Sequence, residues 1–553
     1  MAPYVSGGRE GLGAARARER SHRLQQSASS RLRTVSRCSR LCGLAVALLL
    51  VASPAAAADS SLADAAQARD WERVHALIEG SAEVNAPQVD GMTALHWASL
   101  YDDLEVAKLL VATGADANAA NRYGVTPLSL ACTNGNGALV ELLLDAGADP
   151  NASLPGGETA LMTAARTGRI GPVKALLARG ADVHGKVHGM GRREGAGANA
   201  FNHRINDPGI FDFETKPEQT ALIWAAAEGH AEVVAELIKA GADSQAPLPS
   251  GFTPLLFAVR NGHLEVVKTL MQAGADINQR IEPDPDWRHM GYRARLRPGA
   301  TALHVAVENG HFELGAYLLE AGLDPNAADP VGYTALHAMT NARRIAPGDA
   351  DPPPEPTGNM TSLEFVRKLA DHGANLDARM TGPGLINLGA AVLGPTAFLA
   401  AAQTTDLAFM KTLVDLGADP LLTDGINRTA LMLVGARTGS EAEVLHAIDL
   451  LLDLGVAIDA VDKNGETAMH AAAYRDRSEP IKLLAARGAS IDVWNRKNRQ
   501  GSTPLAIAAG YRGPRSFRPQ PLAEAAIREV MVAAGVPVPE VVAAPATGPI
   551  RAY

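Results

Sequence analysis

A threonine followed by Ala or Pro and then an apolar residue recurs at Thr93, Thr126, Thr159, Thr220, Thr253, Thr301, Thr334, Thr396, Thr429, Thr467 and Thr503. Five of the ten intervals are 33 residues long, and the others exceed that period by 28, 15, 29, 5 and 3 residues. A period of this size specifies one supersecondary unit that is copied and stacked, so it excludes a single large core. Composition agrees with the period, because 47% apolar but only 4% aromatic residues suit many small helices better than a few bulky interiors.

Gly251 to Gly274 is the cleanest unit. Gly251 turns the chain, the Thr253 hydroxyl caps a helix, and Pro254 at the first helical position sacrifices no useful N–H. Asn261-Gly262-His263 breaks that helix. Val266, Val267, Leu270 and Met271 then form the apolar stripe of a second helix, which Gly274 ends with a left-handed residue. Neither helix is long enough to be stable alone, so each pair must bury its face against the next pair.

These residues resemble the ankyrin repeat. Thr-Ala-Leu-His stands at 93–96, 301–304 and 334–337, Thr-Ala-Met-His at 467–470, and Gly-His at 229–230, 262–263 and 310–311. Gly-Ala-Asp closes units at 114–116, 147–149, 180–182, 241–243, 274–276 and 417–419. The resemblance implies an all-α fold, an ankyrin-repeat solenoid of about twelve helix-turn-helix units with short hairpin fingers. It spans residues 59–535, from a degenerate first unit, Leu62 to Asn85, to an atypical last one, Thr503 to Gly535. Residues 536–553 read as a disordered Pro/Ala-rich tail. Ankyrin arrays bind other proteins on the concave face and the fingers, so the resemblance implies a protein-binding scaffold, no enzymatic activity and no cofactor.

Extra residues fall near 183–216, 279–297, 343–360 and 380–394. The first insertion holds Arg192, Arg193, Phe201, His203, Arg204, Phe211 and Phe213; the second holds Trp287, Arg288, Tyr292, Arg293, Arg295 and Arg297. Lengthening a surface loop costs only about 0.6 kcal/mol per doubling, so length alone signifies little. Composition is the stronger signal, because Trp, Tyr and Arg dominate interface hot spots. Phe201, Arg204, Phe211, Trp287, Tyr292, Arg293 and Arg295 are therefore the expected partner-binding residues. The third unit to be split, Thr334 to Ala378, carries a Pro-rich loop between its helices and is the expected weak point of the array.

At the N-terminus, Arg31, Arg33, Arg37 and Arg40 precede an apolar run from Leu41 to Ala52 and four alanines before Asp59. That order is a secretory signal within residues 1–58, with cleavage near Ala58. The run is too short to cross a bilayer, which needs about 20 residues. Removal of the segment leaves 42 basic and 58 acidic residues, a net charge of −16. A body this acidic opposes general nucleic-acid binding, which needs a basic face. Basic insertions on it point instead to a protein partner with an acidic surface. Arginine outnumbers lysine 40 to 11, which with the alanine content suggests a GC-rich bacterial source and a periplasmic or secreted protein.

His96, His230, His263, His304, His311, His337 and His470 occupy repeat slots where ankyrin units use histidine to tie turns and neighbours together. His184, His188 and His203 have spacing that would suit zinc on a helix, but their segment is too glycine-rich to form one, so no metal is assigned. A metal-dependent enzyme on the inserted loops, or a structural or chaperone-like subunit of a periplasmic complex, are the competing functions. Cys132 reads as a buried inert thiol, Trp97 and Trp224 as core, and Trp287 and Trp494 as exposed.

Overall fold

The computed structural model describes residues 61–187, 218–282, 298–343, 354–381, 394–436, 439–511 and 518–539. Among these residues are twelve helix pairs, running from Ser61–Gln67 and Trp71–Glu79 to Pro504–Ala508 and Pro521–Ala533, and no strand. The first helix of every unit with a repeat threonine starts one residue after it, as in Ala94–Leu100, Pro254–Arg260 and Ala397–Thr404. The local cause is capping: the Thr253 hydroxyl accepts the Leu256 N–H at 3.4 Å, satisfying one donor that the first turn leaves open. Where the unit reads Gly-His, only glycine fits. Gly229 has φ +87°, and a Cβ there would lie 2.7 Å from the ring of His263 in the next repeat.

First helices pack on first helices and second helices on second helices along the array. One continuous apolar core results, from Leu62 through Phe312 and Phe365 to Met531. Between units the chain makes a finger closed by one backbone pair, with Gln88 N–H donating to Met92 O at 2.8 Å and Asn121 N–H to Val125 O at 3.0 Å. Adjacent fingers also join, since Arg122 N–H donates to Asp90 O at 3.0 Å. On the opposite side of each connection, Asn85, Asn118 and Asn151 donate to Gly114 O, Gly147 O and Gly180 O of the following units.

One expectation about burial needs correction. Trp494 is not exposed: it is 1% accessible. The three extra residues before Thr503 form an additional helical turn, Ile491–Trp494, that tucks the indole into the core. Trp97 and Trp224 pack against the core and are partly buried, in keeping with their repeat slot. The Pro-rich loop of the Thr334 unit is anchored where it rejoins the array, as Thr357 N–H donates to Gly310 O at 3.2 Å and Asn359 N–H to Glu313 Oε1 at 2.6 Å. Across the gap, Arg343 on Ala335–Arg343 donates through Nε to Asp406 Oδ2 at 2.7 Å and through Nη2 to Oδ1 at 3.0 Å. This pair is only 15% and 6% accessible, and it also recruits Ser362 Oγ. The split unit is therefore clamped to the next one.

Candidate functional site

Every finger obeys the same closing pair, and that rule locates the insertions. Val187 N–H donates to Gln219 O at 3.0 Å, Ile281 N–H to Ala300 O at 2.9 Å, and Met380 N–H to Pro395 O at 3.3 Å. Residues 188–217, 283–297 and 382–393 lie outside the described residues, and in the sequence each falls between the two sides of one such finger base. Regular fingers, Leu248–Phe252 and Asp329–Tyr333, stand between them. The insertion in the Thr334 unit differs, because it separates the two helices of a pair.

Phe201, Arg204, Phe211, Trp287, Tyr292, Arg293 and Arg295 all lie outside the described residues. Only the bases of their loops are seen, and these carry a feature that the repeat frame hides. Lys186, Arg280 and Arg379 hold the same register before the closing pair, where the regular fingers have Pro87, Ala120, Ser153, Pro247, Ala328, Thr423, Val461 and, in the last finger, Lys497. Arg280 Nη1 donates to Gly299 O of its own finger at 2.9 Å and to Ala328 O of the next at 2.7 Å. Arg379 Nη1 repeats the bridge to Gly394 O at 3.3 Å and Thr423 O at 2.5 Å. Lys186 Nζ pairs with Glu218 at 3.1 Å, across its own finger. The two guanidinium bridges add to the backbone link between neighbouring turns, which the third extended finger keeps, as Thr381 N–H donates to Val331 O at 2.8 Å. Alignment of the finger bases after removal of the insertions would have exposed this register.

Histidine completes the support of the fingers. In His96, Nδ1 accepts the Thr93 N–H at 3.1 Å, which leaves Nε2 to donate to Val125 O at 3.0 Å in the next finger. His304 reaches Tyr333 O at 2.9 Å, His337 reaches Pro395 O at 3.2 Å, and His470 reaches Arg496 O at 3.0 Å. His337 thus holds the base of the third extended finger. Burial pushes the pKa values of His96 and His470 down and that of His337 down to about 4, so all three are neutral at pH 7. His230, His263 and His311 work in the other direction, meeting Arg166 O, Ala227 O and Arg260 O of the preceding unit at 3.0, 2.9 and 2.7 Å. The seven repeat histidines are ties between units, as their slots imply.

His184 is exposed in the turn slot that Asn85, Asn118 and Asn151 fill elsewhere; His188 and His203 lie outside the described residues. No group of three His, Cys, Asp or Glu among the described residues could hold a metal ion. Cys132 is buried, and desolvation raises its pKa to about 12, which makes it an inert thiol at neutral pH. No described helix is long and apolar enough to cross a membrane.

The repeat geometry coincides with a family match. The family model "Ankyrin repeats (3 copies)" matches residues 62–154, 197–281, 397–495 and 439–516, and "Ankyrin repeat" matches 156–186 and 299–330. The chain belongs to the ankyrin-repeat family, whose arrays are generally protein-interaction modules. SH3 and multiple ankyrin repeat domains protein 2 of Homo sapiens is 34% identical over 150 residues, 27% of this chain and 7% of that protein. Ankyrin repeat-containing protein P1E11.10 of Schizosaccharomyces pombe is 39% identical over 56 residues, 10% of this chain and 26% of that protein. The chain thus matches only a small part of either curated relative. The crystal structure of the human ASB11 ankyrin repeat domain, 21% identical, covers 51% of this chain and 99% of that one with a TM-score of 0.36.

Proposed function

We propose that this protein is a scaffold that captures a partner protein with an acidic surface through its extended fingers. The observation that carries the proposal is the placement of the two basic-aromatic insertions, which leave the array from equivalent finger positions with one regular finger between them. Stacked helices stand about 8–10 Å apart, so the two bases are roughly 20 Å from one another on one edge. Loops of 28 and 15 extra residues span that gap easily. Trp287, Tyr292, Phe201 and Phe211 would supply buried area, and Arg293, Arg295 and Arg204 would pair with carboxylates. Association of this kind weakens as salt rises.

The scaffold acts outside the cytoplasm in this proposal, as an exported protein whose mature chain begins near Asp59. N-terminal sequencing of the exported form checks the cleavage, and a product still carrying Arg31 refutes it. For the binding site, a partner recovered from the native envelope is titrated against the wild-type chain and against the Trp287→Ala, Tyr292→Ala, Arg293→Ala, Arg295→Ala combination. The variant should bind at least about tenfold more weakly. Unchanged affinity in a folded variant removes the fingers as the site and returns binding to the helical face.

A further inference from the structure

The first units carry a second set of Trp, Tyr and Arg residues, far from the extended fingers in the repeat order. Tyr101, which caps the end of Ala94–Leu100, is stacked with Trp97 at a centroid separation of 5.8 Å and an interplanar angle of 27°. Trp71 meets the same ring edge-on at 6.4 Å. Arg69 places its guanidinium carbon 3.9 Å from the Tyr101 ring centre. Three anchors hold this cluster: Tyr101 OH donates to Gln67 O at 2.9 Å, Trp97 Nε1 donates to Gln88 Oε1 at 2.8 Å, and Gln88 Nε2 donates to Asp64 Oδ1 at 2.7 Å.

Arg69 is the unusual member. It is exposed and lies in the left-handed region at φ 58°; its backbone N–H donates to Ala66 O at 3.0 Å, but its guanidinium makes no ion pair or hydrogen bond among the described residues. A guanidinium lying over an aromatic ring is restricted in orientation while its N–H edge stays available for a planar acceptor. The neighbouring carboxylates accept from other groups, Asp64 from Gln88 Nε2 and Asp70 from the Arg73 N–H at 3.1 Å, and remain charged. Leu100, next to Tyr101 in the chain, is 39% exposed, and Val89, next to the Gln88 that accepts the Trp97 indole N–H, is 96% exposed.

We propose that Arg69, Tyr101 and Trp97 form a docking site for an acidic, apolar segment of a partner protein, with Arg69 receiving its carboxylate and Trp97, Leu100 and Val89 seating its apolar side chains. Charge complementarity selects this occupant, because the group lying on the aromatic platform is a cation with no carboxylate at ion-pair distance among the described residues. A planar carboxylate matches its fork with two parallel hydrogen bonds. This site shares the acidic-partner chemistry proposed for the extended fingers but uses none of their residues.

The probe is a fluorescein-labelled peptide, Ac-Glu-Leu-Glu-Phe-Glu-Leu-NH2, with counterparts in which Gln or Lys replaces every Glu, measured by anisotropy on the full chain. The Glu peptide should bind, the Gln peptide should bind at least about tenfold more weakly, and Arg69→Ala should impose a loss of the same size. Tyr101→Ala should weaken binding too, and Arg69→Glu should transfer preference to the Lys peptide. Arg69 is exposed, so its variants keep the fold, which circular dichroism verifies. Absence of Glu-peptide binding, equal binding by Arg69→Ala, or a wild-type preference for the Lys peptide would overturn the proposal. The four-residue finger variant separates the two sites. Loss of binding in that variant alone removes this site and leaves the fingers standing, whereas loss in Arg69→Ala alone establishes it independently of them.

Discussion

Acidification should loosen the array through His337, and the size of the effect follows from the structure. The ring is fully buried, with Nδ1 accepting the Thr334 N–H at 3.3 Å and Nε2 donating to Pro395 O. Protonation would put a hydrogen on Nδ1 facing that N–H, in a site without compensating solvent. Desolvation accordingly lowers the pKa from 6.5 to about 4. Because the folded value is depressed, the unfolded chain binds more protons between these limits. The stabilisation is complete above pH 6.5 and is lost as pH falls toward 4. Each pH unit is worth about 1.4 kcal/mol, so the interval corresponds to about 3 kcal/mol at this one residue. Urea denaturation of the wild type and of His337→Gln should be followed from pH 7.5 to 4.5. The wild type should lose stability across that range, and the variant should lose about 3 kcal/mol less. His96, His311 and His470, whose pKa values burial also lowers, should leave a residual slope of the same sign in the variant. A variant whose pH dependence equals that of the wild type would refute the reasoning.

Arg343→Ala should destabilise the split unit by about 3 kcal/mol or more, since it strands Asp406 in the interior without its cation; limited proteolysis should then cut the Pro-rich loop faster than in the wild type, and an unchanged cleavage rate would count against the clamp. Trp494→Ala should cost about 3–5 kcal/mol in thermal or urea unfolding. Trp494→Phe should cost less than about 1.5 kcal/mol, because it also removes an indole N–H that has no hydrogen-bond partner among the described residues. Cys132 should resist a thiol reagent in the native chain at pH 8 and react on unfolding, whereas rapid native labelling would contradict its burial and raised pKa.

The repeat threonines marked the start of each first helix to the residue, at Thr93 as at Thr503, because capping and the Pro or Ala that follows act within four positions of the chain. The period in turn required stacking, since helices of seven to nine residues cannot stand alone. The histidine ties were legible for the same reason: each sits at a constant offset from its threonine or glycine. What the order of residues could not decide was the environment made by partners 30 to 60 positions away. Trp494 looked exposed because it lies between repeat frames, yet an extra helical turn carries it into the core. Trp97 and Trp224 share one slot and both pack partly buried against the core, as that slot implied. The Arg343–Asp406 clamp joins residues 63 positions apart, and Arg280 bridges to a carbonyl 48 positions on. Local capping and apolar periodicity are short-range and survive in the linear pattern, whereas burial, ion pairing and finger support depend on which units the stack brings together, and only the tertiary structure sets that.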